Sequence, residues 1–381
     1  MRLCNARVYR DGRFVPGGLD FDTNIRGFDG EGGEDAHGAY IIPGLVDVHT
    51  HGAVGADASD GDAEGLKKLS EYYAANGVTS FCPTTMTLKE PELIRAAQCV
   101  RDFVRPERGS QIAGIHLEGP FISYAKRGAQ NPDNLHAPDF DMFQRINDAS
   151  GGQVRLITVA PEIDGALDFI RRASGVCTVS LGHSAADYDQ AMAGFDAGAT
   201  HATHLFNGME PLHHRKPGLV GAALTAGASV ELICDGFHIH PAVVNAVHRM
   251  FGRKLVIISD SLRCAGMPDG EYELGGQPII VRGGKATLFD GTIAGSSTNL
   301  MQELRNVVSF GIALEDAVYA LTEAPARSIG CFDTIGSLTE GKRADFLIVG
   351  EKLDLQAVFV GGGRITYKYY VNLRNTVSKR K

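Results

Sequence analysis

The 381-residue chain has no excess of positive charge: 45 acidic residues outnumber 37 Lys and Arg and leave a formal net charge of −8. That balance disfavours the broad basic face on which nucleic-acid or anionic-membrane binding depends, so an anionic ligand needs a local basic pocket. The seven cysteines (Cys4, Cys82, Cys99, Cys177, Cys234, Cys264 and Cys331) are odd in number, scattered and without a C-x-x-C pair. This argues against a disulfide framework or a zinc ribbon and reads as reduced, mostly buried thiols. No run of 18 uninterrupted apolar residues occurs, and the start "MRLCNARVYRDGR" has no apolar leader core. Neither export nor membrane spanning is indicated, and a cytoplasmic location is expected. Internal repeats and low-complexity segments are missing too, and the basic end "SKRK" reads as a solvated tail. What remains, 44% hydrophobic and 22% charged, is a globular chain with enough apolar residues for one large domain, or one large and one small.

From Gly44 onward, short apolar or β-branched runs alternate with helical patterns. In order the runs are "LVDVHTH", "TSFCPTT", "IAGIHLE", "VRLITVAPE", "CTVSLGHS", "ATHATHLF", "ELICDG" and "LVIISDS". Between them lie segments such as "DAEGLKKLSEYYAANG", with an Asn-Gly stop, and "PAVVNAVHRMFG", with Pro at its start and Gly at its end. Eight strands joined by crossover helices predict an α/β fold, a (β/α)8 TIM-like barrel, and the span fits the roughly 250 residues such a barrel takes. Residues 1–43 and 335–381 carry short β-like runs, so both chain ends are expected to meet in a small β-sandwich domain flanking a barrel over 44–334. Near 269–291 a period-2 pattern with Gly turns predicts a β-hairpin insertion.

Five of the eight strands end in, or just before, a residue that binds metals or moves protons. The first offers His49 and His51, the third Glu118, the fifth His183, the sixth His204 and the eighth Asp260. A lone strand-end histidine is ordinarily a hydrogen-bonded structural residue, and His201, three before His204, illustrates the risk that one of such a pair only packs. In a (β/α)8 barrel, however, these ends converge on the face where active sites sit. Imidazole nitrogen and carboxylate oxygen suit Zn2+, with Fe2+, Mn2+ or Co2+ as alternatives. Such an ion lowers the pKa of bound water toward roughly 7 and polarises a carbonyl. Asp260 then serves as the proton carrier, and the reading is metal-assisted hydrolysis of an amide-like bond.

The segments "PGLVDVHTHG", "HLEGPFIS", "KRGAQNP", "LGHSAADYDQA", "THLFNGMEPLHHRKPG", "CDGFHIHP", "ISDSLRCAGMPDGEY" and "GSLTEGKRADFLIV" resemble the amidohydrolase superfamily and, within it, the N-acetylglucosamine-6-phosphate deacetylase family, over nearly the whole chain. The resemblance implies that Glu118, His183 and His204 hold the main metal, that His49 and His51 hold a second ion as in some members, and that Asp260 is the general acid/base. One or two ions per subunit are implied. The implied substrate is an N-acetylated amino sugar carrying a 6-phosphate, deacetylated to the amino-sugar phosphate and acetate, and the implied assembly is a homodimer.

For the substrate, the resemblance points to Asn207, Gly208 and Arg215 in "NGMEPLHHRKPG" as sugar and phosphate contacts and matches His238 to a substrate-contacting histidine. Arginine suits phosphate because it gives two parallel charge-assisted hydrogen bonds. In a dimer, part of this pocket comes from the neighbouring subunit. The family commonly carries His where this chain has Gln130, expected at the substrate; Gln donates a hydrogen bond but is never cationic. "TIAGSSTNL" places Gly295, Ser296 and Ser297 before an amphipathic helix, either offering backbone N–H groups to ligand or forming a turn with a Ser or Thr cap.

Two rival readings are a cyclic-amide hydrolase of the dihydroorotase type and a barrel scaffold without chemistry. Many of the former use a carboxylated lysine on the fourth strand, and "VRLITVAPE" has none. The latter is expected to have lost ligands, which this chain keeps.

Overall fold

A computed structural model describes residues 1–365; the stretch 366–381, with the "TYKYY" part of the expected tail strand and the basic end, lies outside the described residues. Eight parallel strands, Leu45–Thr50, Val78–Thr85, Ile115–Glu118, Val154–Val159, Thr178–Leu181, His201–Ala202, Ser229–Ile233 and Leu255–Ile258, follow one another in chain order around a barrel. The ring is joined between eighth and first strands by the Asp260 N–H on the His49 carbonyl (3.0 Å) and the His51 N–H on the Ser261 carbonyl (2.9 Å). Strands covered on both faces read as near-continuous apolar runs, and Val78–Thr85 is buried at every position.

Alternation decides what enters the barrel. On the first strand, Val46 and Val48 pack with Tyr319, Ala324 and Ala326, while Asp47 and His49 carry polar groups toward the interior, where Asp47 Oδ2 accepts from Ser259 Oγ at 2.6 Å. The crossover helices stop and start where their caps dictate. Ala63–Ala75 begins at Asp62, whose side chain accepts from the Glu64 and Gly65 N–H groups, and ends at Asn76 before Gly77. Pro241–Phe251 has Pro in its first turn and Gly252 after its last.

Strands from both chain ends form a second sheet in the order Gly363–Ile365, Leu355–Val360, Phe346–Val349, Tyr40–Pro43, Arg2–Arg10, Arg13–Phe21, Ile25–Gly27. It curls over itself: Phe21 meets Phe346 at 4.8 Å and Phe359 at 5.4 Å between ring centroids, although their strands are three and four places away. The two halves enclose a core of their own with Leu3, Leu19, Ile25 and Ile41, the expected small sandwich.

The insertion after the eighth strand has three strands, Gly270–Leu274, Gln277–Arg282 and Lys285–Leu288, where the sequence suggested a hairpin. Gly275 with Gly276 makes the first turn and Gly283 with Gly284 the second, all at positive φ. Gln277 Nε2 donates to the Ala129 carbonyl at 2.6 Å and ties this meander to the loop carrying Gln130. All seven cysteines are free; Cys82, Cys234 and Cys264 are buried and the other four half-buried, fewer than expected. Among the described residues no helix is long and apolar enough to cross a membrane.

Candidate functional site

At the C-terminal end of the barrel Glu118 is the hub. Its Oε1 lies 2.9 Å from His204 Nε2, 3.1 Å from His183 Nε2 and 3.3 Å from His49 Nε2. Its Oε2 lies 3.3 Å from His51 Nε2. Asp260 faces the hub from the eighth strand, with Oδ1 3.3 Å from His51 Nε2 and 3.6 Å from His49 Nε2. All six side chains are buried.

This arrangement fits a metal. His183 Nδ1 is held by the Lys126 carbonyl (2.9 Å) and His51 Nδ1 by the Thr84 carbonyl (3.1 Å), so each ring carries its proton there and turns the Nε2 lone pair toward Glu118. His183 and His204 then face each other Nε2 to Nε2 at 3.1 Å. Ligand atoms about 2.1 Å from one ion stand roughly 3–3.5 Å from each other, the spacing found here. Two donor sets, Glu118 with His183 and His204 and Glu118 with His49 and His51, each lie within 4.8 Å.

The electrostatics agree. Burial pulls an imidazole's proton affinity down, yet Asp260 and Glu118 push His51 up to about 10, and Glu231, Glu118 and Asp260 push His49 well above its ordinary value. Burial pushes carboxyls up, yet His49 and His183 hold Glu118 well below the usual range, and His49 and His51 hold Asp260 below it. The cluster attracts positive charge, and a cation meets the same field without protonating its ligands.

The backbone is strained where these side chains are presented. His183 (φ 47°), His204 (φ 26°) and Asp260 (φ 46°) occupy the left-handed region, which costs a non-glycine residue about 1–3 kcal/mol and persists only where the surroundings enforce it. The enforcement is visible: the Ser123 N–H holds the His183 carbonyl (2.9 Å), the Ser296 N–H holds the Asp260 carbonyl (2.7 Å), and Glu231 Oε2 accepts the His204 N–H (3.1 Å). Gly208 (φ 59°) leaves room beside His183, since a Cβ there would stand 3.0 Å from Nδ1.

Above the cluster is a cavity of about 150 Å³ whose wall includes Gln130, Asn207, Gly208 and His238 as well as Glu118 and Asp260. Gln130 is engaged within the protein at both ends of its amide: Oε1 accepts from the Thr87 N–H (2.7 Å) and Nε2 donates to Glu118 Oε2 (2.5 Å). It orients the hub carboxylate. His238 binds Asp235 Oδ2 through Nδ1 (2.8 Å) and the Ala294 carbonyl through Nε2 (2.9 Å). Burial works against its charge, but Asp235 prevails and raises its pKa. Arg215 is not brought to this cavity; it is exposed, 2.6 Å from His214 Nε2, beside a separate cleft lined by Asp187, Tyr188 and Glu210.

Gly295 lines the cavity, while Ser296 and Ser297 bond the Ser259 and Gly284 carbonyls, and the next helix is capped by Asn299 rather than by Ser or Thr. His201 packs in the layer beneath, with Nδ1 3.0 Å from Ser180 Oγ. Two residues of that layer escaped sequence reasoning: Glu231, 2.9 Å from His49 Nδ1, and His116, stacked edge-on at 4.4 Å against His49. Their signals were an acid inside the apolar run "ELICDG" and a histidine two residues before Glu118, on its face of the strand.

The amidohydrolase family model matches residues 40–365. The chain is 38% identical over 323 residues to N-acetylglucosamine-6-phosphate deacetylase of Bacillus subtilis, covering 83% of this chain and 82% of the relative. It is 36% identical over 326 residues to N-acetylgalactosamine-6-phosphate deacetylase of Escherichia coli O157:H7, covering 84% and 86%. Among solved structures, N-acetyl-D-glucosamine-6-phosphate deacetylase of Mycobacterium smegmatis, a mutant in complex with N-acetyl-D-glucosamine-6-phosphate, superposes with a TM-score of 0.91 at 32% identity, over 96% of this chain and 99% of that one. The chain belongs to the amidohydrolase family, in the branch of the N-acetylglucosamine-6-phosphate deacetylases.

Proposed function

We propose that the chain hydrolyses the acetamide of N-acetylglucosamine 6-phosphate, releasing acetate and glucosamine 6-phosphate. The observation that carries this reading is the opposition of Asp260 to the Glu118–histidine cluster on the floor of one cavity. Glu118, His183 and His204 would hold a first divalent ion, and His49 and His51, sharing Glu118, a second. Zn2+ suits these donors, with Fe2+, Mn2+ or Co2+ as alternatives. A bound ion supplies an acidified water and polarises the acetamide carbonyl.

The chain's own groups do the rest. Asp260 Oδ1 takes the proton released as water adds to the acetyl carbon and delivers it to the amine nitrogen as the C–N bond breaks. His49 and His51 beside it favour its ionised form, as a base requires. Gln130 fixes the orientation of Glu118. Asn207, Gly208 and His238 border the sugar. Arg215 lies outside the cavity wall, so its contact with the 6-phosphate is made across a homodimer interface, by the copy in the neighbouring subunit. Seven free thiols fit a cytoplasmic setting.

A second reading, the galactosamine epimer, is favoured by one relative of nearly equal similarity. The test is acetate release from both N-acetylated sugar phosphates by purified protein, before and after chelation and with single-metal add-back. Release from the glucosamine substrate that disappears with the metal and returns with it is expected. Faster release from the galactosamine epimer would favour the second reading, and no release with any metal would sink both.

A further inference from the structure

Glu231 belongs to the seventh strand, Ser229–Ile233, one layer below the cavity, and is fully buried. A single oxygen, Oε2, makes two contacts: it accepts the Nδ1 proton of His49 at 2.9 Å and the main-chain N–H of His204 at 3.1 Å. We propose that Glu231 is the positioning residue that sets both halves of the metal centre at once, the ring of His49 and the backbone of His204. The assignment rests on the metal-centre reading above.

The four histidines differ in how they are held. His51 and His183 have Nδ1 fixed by the Thr84 and Lys126 carbonyls. His49 alone has a carboxylate there, which keeps the proton on Nδ1 and leaves Nε2, itself without a hydrogen-bond partner, aimed at Glu118 and Asp260. His204 has no partner on Nδ1, so nothing orients its ring through a hydrogen bond on that side. Its placement depends on the main chain, which is in the left-handed region at φ 26° and is anchored through its N–H by Glu231. Without that oxygen, His49 loses its tautomer lock, and a strained backbone loses an acceptor that water cannot easily replace in a buried layer. The other oxygen, Oε1, has no hydrogen-bond partner, and His201 Nδ1 stands 3.9 Å from it, beyond hydrogen-bond reach, so the function of this carboxylate is concentrated in Oε2.

The experiment measures divalent-ion affinity directly. The full-length chain is stripped of metal and titrated with Zn2+ against a chromophoric chelator, alongside Glu231→Ala and Glu231→Gln, with circular dichroism and the apo-protein Tm recorded for each. Losing such a partner costs about 10–100-fold in metal affinity, and that loss is expected for Glu231→Ala. Glu231→Gln, whose amide oxygen can still accept both N–H groups, is expected to recover most of it. A residue that merely fills space would lower the apo Tm and leave the affinity ratio near one; unchanged affinity in both variants overturns the proposal. Should Glu231→Ala fail to fold, the Gln variant decides: a loss of a few fold supports the assignment, and affinity equal to the parent overturns it. No substrate enters the titration, so a wrong sugar assignment leaves this result standing. A parent chain that takes up no ion overturns the metal-centre reading and this assignment with it.

Discussion

Gly295 lies directly against Asp260: a Cβ added to it would stand 2.6 Å from the Asp260 main-chain oxygen and 3.1 Å from Oδ1. Asp260 cannot retreat, because its carbonyl is held by the Ser296 N–H and its own N–H by the His49 carbonyl. Gly295→Ala should therefore shift the carboxylate and lower kcat by roughly 100-fold, the typical effect of a displacement near 1 Å. Circular dichroism and metal content should match the parent; a variant with parental kcat would show that this close approach is not needed.

Asp260→Asn would remove the proton carrier proposed above while keeping its shape. A fall in kcat of about 10²–10⁴ is expected, with metal content unchanged by elemental analysis. Near-parental turnover in the metal-loaded variant would refute the role given to Asp260.

Chelation should abolish acetate release and lower Tm together, since an ion that binds only the folded chain stabilises it by about 4 kcal/mol at a thousandfold excess over Kd. The affinity should also fall with pH. Burial opposes the charge on His183, but Glu118 raises its pKa, so as pH drops protons occupy the same lone pairs and compete with the ion. Calorimetric titrations across a pH series would contradict this if affinity were flat or rose toward acid.

Arg215→Ala should raise KM for the phosphorylated sugar about tenfold or more and leave KM for the unphosphorylated sugar unchanged, because a charge-assisted hydrogen bond is worth about 1.5–3 kcal/mol. Equal effects on both substrates would remove the phosphate assignment.

In the terminal sandwich, Phe21 is enclosed by Phe346 and Phe359 from the opposite half of the curled sheet. Phe21→Ala should cost about 3–5 kcal/mol of stability, read as a lower urea midpoint, while kcat of the folded fraction stays parental. A loss of kcat without a loss of stability would mean that the sandwich influences the barrel site.

The barrel was legible because its strands are covered on both faces and so stand out as apolar runs, separated by helices with readable caps such as Asp62. The clustering of these side chains was legible for a related reason: charged or imidazole side chains at the ends of buried runs, His49 and Glu118 among them, need a partner, and the fold brings them to a common place. Other features depend on three-dimensional direction that no periodicity encodes. The tight His213–Lys216 turn, closed by hydrogen bonds of 3.3 and 2.9 Å, sets Arg215 outside the cavity. Gln130 aligned with a substrate position, yet its amide spans Thr87 and Glu118. Glu231 announced that it must be paired, but an acid in an apolar strand does not say with whom.

The curled sheet also sets an order of events during synthesis. Arg2–Arg10 and Tyr40–Pro43 are made first, but the neighbour of Tyr40–Pro43 is Phe346–Val349, about three hundred residues later. Until that strand leaves the ribosome, the edge of Tyr40–Pro43 is unpaired and one wall of the Phe21 pocket is missing, a contact of very high sequence separation and correspondingly slow closure. The barrel between them must hold its two ends near each other before Phe346–Val349 can enter, so the sandwich is a seal that the nascent chain closes only after the barrel strands are made.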